Sequence, residues 1–130
     1  MLTPFPFQQL DVYTATRELA AAVHKAGIGD PELHSAPSAL RRRPWTPSTP
    51  VRDQAARAAK STFLNVAEGL PDTNLGVRRR HFAIARNSLC EVAAAVDLAV
   101  AIGALSQERG LVLVGLMQRV AAMVGGLLRG

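Results

Sequence analysis

The sequence predicts an all-α fold of four helices. Aromatic residues are 5% of the 130-residue chain and alanine is abundant. No stretch sustains the Val/Ile/Thr alternation of a half-buried strand, while apolar residues recur at three- and four-residue steps in four separate runs. With 48% apolar and 19% charged residues, the composition excludes wholesale disorder. The length suits one domain spanning residues 1–130.

The first helix is expected over about Phe7 to Lys25, with Leu10, Val12, Ala15, Leu19, Val23 and Ala26 as its apolar stripe and Gly27 and Gly29 ending it. Pro31, Pro37, Pro44, Pro47 and Pro50 then punctuate a Ser/Thr/Arg-rich segment. Repeated proline removes donors and fixes φ, so a long loop is expected there rather than a helix. A loop of that length in a compact domain is either a binding loop or a disordered insertion, and disorder is the expectation.

The second helix is expected from Pro50, with Thr49 as its N-cap, to Gly69, with Pro71 just beyond. Ala55, Ala59, Thr62, Val66 and Leu70 form one stripe. Gln54, Arg57, Ser61, Asn65 and Glu68 form a second, polar one at the same step, so this helix is expected to be contacted on both sides. Asp72-Thr73-Asn74 supplies caps for a third helix, about Leu75 to Ala104, whose stripe is Phe82, Ala85, Leu89, Val92, Val96, Ala99 and Gly103. Ser106 caps the fourth, with Gln107 and Glu108 in its first turn.

The run Leu111 to Leu128 carries only Gln118 and Arg119 as strongly polar members and approaches the length of a membrane span. A central arginine costs at least about 2.5 kcal/mol on insertion scales, so no membrane association is expected. A helix apolar nearly all round instead implies one face in the core and another covered by a neighbouring subunit.

Lys and Arg number 15 against 10 Asp and Glu, a net charge of +5, and all but Lys25 and Lys60 are arginine. Arginine grips phosphate and carboxylate in a bidentate fork, which points to a polyanionic partner. The single cysteine, Cys90, excludes an internal disulfide or a Cys-rich metal site and is expected as a small buried filler. His24, His34 and His81 lack metal-ligand spacing, so no metal and no cofactor are expected; His24 and His81 read as exposed helix residues. The first ten residues lack a basic n-region and a long apolar run, so the expected compartment is cytoplasmic.

No catalytic motif is present, and an enzyme is not expected. Ser88 and Glu91 lie one turn apart on the third helix. They can face Ser61, Asn65 and Glu68 across the hairpin, with Arg57 available to neutralise acid, as a structural network that sets helix register. A subunit contact or a ligand site are the alternatives. Arg78, Arg79 and Arg80 occupy the first turns of the third helix, where cations oppose the helix dipole. With Arg86, and with Arg41, Arg42 and Arg43 beside Trp45 in the loop, they are the candidate nucleic-acid contacts.

Phe7-x-x-Leu10-x-Val12-Tyr13, Gln54-x-x-Arg57-Ala58-Ala59-x-Ser61, Asn65-Val66-Ala67-Glu68-Gly69 and Arg80-His81-Phe82 to Ser88-Leu89-x-Glu91 together resemble the four helix bundle family of 23S ribosomal RNA intervening sequence proteins. The resemblance implies an antiparallel up-and-down four-helix bundle that assembles as a ring-like homopentamer. It extends to the accessory protein of diversity-generating retroelements, which joins a reverse transcriptase and presents basic surface to nucleic acid. Two positions depart from the family pattern. Asn87 stands where relatives carry glycine, and residues 34–51 read as an insertion relative to their short link between the first two helices. The function expected is an oligomeric helical-bundle scaffold with basic surface, associated with RNA or DNA. The alternative is a protein-binding adaptor without direct nucleic-acid contact.

Overall fold

The computed structural model describes residues 5–26 and 45–130. A short 3-10 turn, Pro6–Gln9, leads into α1 (Asp11–Ala26), followed by α2 (Trp45–Gly69), α3 (Leu75–Ala101) and α4 (Gln107–Arg129). Neighbours in the bundle follow chain order, α1 on α2, α2 on α3, α3 on α4, with α4 closing back on α1. This is the antiparallel up-and-down four-helix bundle.

Three element boundaries differ from the sequence reading. Leu10 is extended (φ −74, ψ 143) and its N–H bonds Phe7 O at 3.3 Å, so the chain turns before α1 rather than running helically from Phe7. α2 begins at Trp45, not at Pro50, which lies inside it. Pro47 falls among the first four residues, whose N–H groups have no helical acceptor anyway, whereas Pro50, the sixth, forgoes one i→i−4 hydrogen bond within the helix. Residues 45–51, expected within an insertion, are therefore the opening turns of α2; the rest of that range, 34–44, lies outside the described residues. α3 stops at Ala101 because Gly103 takes φ +76, a left-handed conformation that ends a helix and that glycine adopts without strain.

The core is one cluster drawn from all four helices. Leu19, Val66, Phe82, Val92, Val120 and Val124 are almost fully excluded from solvent. Most of the expected stripe residues are in it, while Ala99 is half-buried and Leu10 and Gly103 are exposed. Thr16 and Thr62 are buried polar residues whose hydroxyls are matched locally. Thr16 donates to Val12 O at 2.8 Å and Thr62 to Ala58 O at 2.9 Å, so neither carries an unpaired group into the apolar interior.

Small side chains let α2 and α3 approach closely along the longest helix contact in the bundle. Ala55, Ala58 and Ala59 on α2 and Ala85 on α3 are buried. At its end, a Cβ added to Gly69 would lie 2.7 Å from Phe82 Cε1 and 3.1 Å from His81 Cβ.

Truncating Leu19, which has no exposed surface, should destabilise the fold by about 2–5 kcal/mol. Urea unfolding of Leu19→Ala measures this; a loss under about 1 kcal/mol would show that the site collapses around the missing atoms.

Candidate interaction surfaces

Five side chains link α2 to α3 above the apolar seam. Ser61 Oγ and Ser88 Oγ are 2.8 Å apart, and Asn65 Nδ2 donates to Ser61 O at 2.9 Å and to Ser61 Oγ at 3.3 Å. Asn65 Oδ1 is thereby turned toward His81 Nδ1, 3.0 Å away. An amide oxygen only accepts, so Nδ1 is the ring nitrogen that carries hydrogen. Glu68 Oε2 lies 3.5 Å from the same nitrogen. Glu68 is 63% exposed, which screens that contact and leaves the Asn65 bond as the stronger constraint.

Of the residues expected in this network, Ser61, Asn65, Glu68 and Ser88 are brought together and Arg57 and Glu91 are not. Arg57 Nη2 bonds Gln54 Oε1 at 3.2 Å on the exposed side of α2. Glu91 is exposed, and lies about 60° round the helix from Ser88. His81, expected as an exposed residue, is the member that sequence reasoning missed. Its seven-residue spacing from Ser88 puts both on one face of α3 and was the available signal.

Arg78 also departs from expectation. Its guanidinium Nη1 donates to Gly69 O at 3.3 Å and to Leu70 O, closing the C-terminus of α2, and it sits 5.1 Å from the centroid of the Phe82 ring. A cation there satisfies carbonyls that have no helical donor and meets the negative end of the α2 dipole. Arg78 thus leaves the set of candidate nucleic-acid contacts. Arg79, Arg80 and Arg86 are exposed and have no ion-pair partner among the described residues. Arg41, Arg42 and Arg43 lie outside the described residues.

A second surface lies between α3 and α4. A groove of about 430 Å³ is walled by Leu89, Cys90, Ala93 and Val96 on one side and by Leu111, Val114, Met117 and Ala121 on the other, with Asp97, Gln107 and Gln118 as its polar members. Cys90 is exposed in this groove and is not a core filler: the apolar stripe runs through Leu89, and the next residue turns about 100° away from it. Leu111 in the groove wall and Val112 beside it are 63% and 65% exposed. α4 is long and apolar enough to cross a bilayer by length and composition, and only 22% of its most apolar window is buried in the bundle. Arg119 on this helix pairs with Glu18 of α1 at 3.5 Å, both half exposed.

Residues 45–126 match the family described as 23S rRNA-intervening sequence protein. The chain belongs to this family. No curated protein matches it. The matched region begins where α2 begins and takes in α2, α3 and most of α4, so it contains the whole polar link, the Arg78 cap and the α3–α4 groove. Three of the four strings that carried the family resemblance, Gln54 to Ser61, Asn65 to Gly69 and Arg80 to Glu91, meet across this hairpin. Asn87, where the family pattern carries glycine, is exposed and stands outside the hairpin contact.

Capping and solvated arginines should separate on mutation. Arg78→Ala should lower stability by about 1–3 kcal/mol because it removes the side-chain donor to Leu70 O and one of the two donors to Gly69 O, while Arg80→Ala should stay within about 0.5 kcal/mol. Equal effects in chemical denaturation would show that Arg78 is not a cap. Gly69→Ala, which drives a methyl against Phe82, should cost about 1–3 kcal/mol; an unchanged midpoint would mean that the hairpin opens freely to admit it.

Proposed function

We propose that the protein is a non-enzymatic, oligomeric helical scaffold that holds nucleic acid against the arginines of α3. The supporting observation is the distribution of charge along that helix. From Leu75 to Ser88 it has four arginines, one histidine and no acid; from Leu89 to Ala101 it has Glu91, Asp97 and no cation. The helix dipole acts only on the first and last turns, so it accounts for neither the run of arginines beyond Arg78 nor the acids of the second half. Arg78 is accounted for by its cap, which leaves Arg79, Arg80 and Arg86 as exposed forks suited to phosphate.

Oligomerisation is supported by α4, whose apolar circumference exceeds what one bundle covers. An assembly repeats the arginine surface on each copy and turns several weak phosphate contacts into one strong attachment.

Gel shift or fluorescence anisotropy with RNA and DNA duplexes tests the reading. Affinity should fall steeply with salt, each phosphate contact contributing a slope of about −0.9 on duplex DNA. Arg79→Glu/Arg80→Glu should keep the helical circular dichroism spectrum and abolish binding. A flat salt response, or no binding at physiological salt, would favour the protein-binding adaptor in which positive charge serves solubility.

A further inference from the structure

We propose that the outer face of α1 and α2 is a binding surface for unpaired nucleic-acid strands, with a base stacked on Phe5 and phosphates held by Arg17 and Lys60. α1 and α3 are diagonal in the bundle, so this face is distinct from the α3 arginines and stands or falls separately from them.

Phe5 singles out this face. Its ring is 68% exposed, yet it is held in place. Phe5 N donates to Gln8 Oε1 at 2.7 Å and Gln8 N donates back to Phe5 O at 2.9 Å. Gln8 Nε2 also donates to the Tyr13 hydroxyl at 3.1 Å, which ties the turn to α1. One side of the ring rests on Phe7, with centroids 6.1 Å apart and planes 18° from parallel, and the other is left to solvent. A phenyl ring gains by burial, so one fixed in water is available to another flat apolar surface. Unpaired bases offer that surface, whereas in a duplex each base is already stacked between its neighbours.

The ring contacts also place the cations. Phe7 meets Tyr13 edge-on at 5.8 Å, and Tyr13 meets Phe63 of α2 at 5.1 Å, which sets the relative height of the two helices. α1 and α2 run antiparallel, so one turn onward from Tyr13 and one turn back from Phe63 reach the same level. Those positions are Arg17 and Lys60. Both are exposed, and neither has an ion-pair partner among the described residues. The Arg17 guanidinium lies 6.0 Å from the centroid of the Tyr13 ring, which orients it and leaves its N–H fork free for phosphate.

Acids are kept off this face. On α1 the strip Tyr13, Arg17, Ala20 and His24 has none; Asp11 and Glu18 lie about 140–160° round the helix, where Glu18 pairs with Arg119. On α2 the strip Ala56, Lys60, Phe63 and Ala67 has none, and Asp53, two turns from Lys60, is paired with Arg52 at 4.0 Å. An exposed ring beside unopposed cations is the combination that holds single strands without regard to sequence.

Fluorescence anisotropy of the full chain with labelled oligothymidylate and, in parallel, with a DNA duplex of the same length tests this. Oligothymidylate should bind the wild type. Phe5→Leu keeps an apolar side chain and removes the ring; it should weaken oligothymidylate binding about tenfold and leave duplex binding unchanged. Arg17→Glu/Lys60→Glu should keep the circular dichroism spectrum and abolish single-strand binding, whereas Arg79→Glu/Arg80→Glu should lose the duplex and retain the single strand. Undiminished affinity of Phe5→Leu for oligothymidylate, or equal losses for both probes, would overturn the stacking site. Inorganic polyphosphate has charge and no bases, so it should bind Phe5→Leu and the wild type alike; a loss there would show that Phe5 acts other than by stacking. A wild type that binds duplex and not the single strand would remove this proposal and leave the α3 surface standing, and the reverse result would remove the α3 surface and leave this one.

Discussion

The close approach of α2 and α3 is the constraint on which the rest of the structure depends. Its apolar part needs alanine along the seam and glycine at its end, because Phe82 fills the space where any side chain at residue 69 would go. Its polar part runs from Ser88 through Ser61 and Asn65 to His81, with Glu68 alongside. Packing alone tolerates sliding and rotation, but these hydrogen bonds are directional and exist at one height only. Arg78 adds a third element by closing the end of α2 from the following helix. Apolar contact, hydrogen-bond register and charge at a helix end all specify the same hairpin, and such agreement between levels is what lets a sequence select one packing.

With that hairpin set, α1 and α4 complete the bundle by a different logic. They pack on it and on each other through larger aliphatic side chains, Leu19 and Val23 on α1 and Leu113, Val120 and Val124 on α4. Their cross-link is the Arg119–Glu18 pair, half exposed and of small energetic weight. The bundle therefore combines a specifically fastened half with a half held mainly by burial. On the second half α4 turns Leu111 and Val112 to solvent, and between α3 and α4 the groove beside Cys90 remains open.

The arginines of α3 show how position changes the meaning of one residue type. Arg78, Arg79 and Arg80 are consecutive and chemically identical, yet the first faces back to the carbonyls of Gly69 and Leu70 while the other two project into water. Helical geometry explains the split, since adjacent residues are separated by about 100° and three of them cannot share an environment. A charge run is thus resolved into one structural cation and two exposed ones, and only the latter bear on an external anion.

Number, order and type of the helices were legible in the sequence because apolar periodicity, the caps at Asn74 and Ser106 and the break near Gly69 are local properties of the chain. So was most of the polar row, because Ser61, Asn65 and Glu68 recur at the helical step. Tertiary structure alone decided that His81 joins that row and that Arg57 and Glu91 do not. It also turned Arg78 inward, opened Cys90 to solvent and carried α2 back through Pro50 to Trp45. The reason is common to all of these. Periodicity states which residues share a face of one helix, but partners across a hairpin depend on the height and rotation of two helices, and those are set by the sum of contacts along the whole seam.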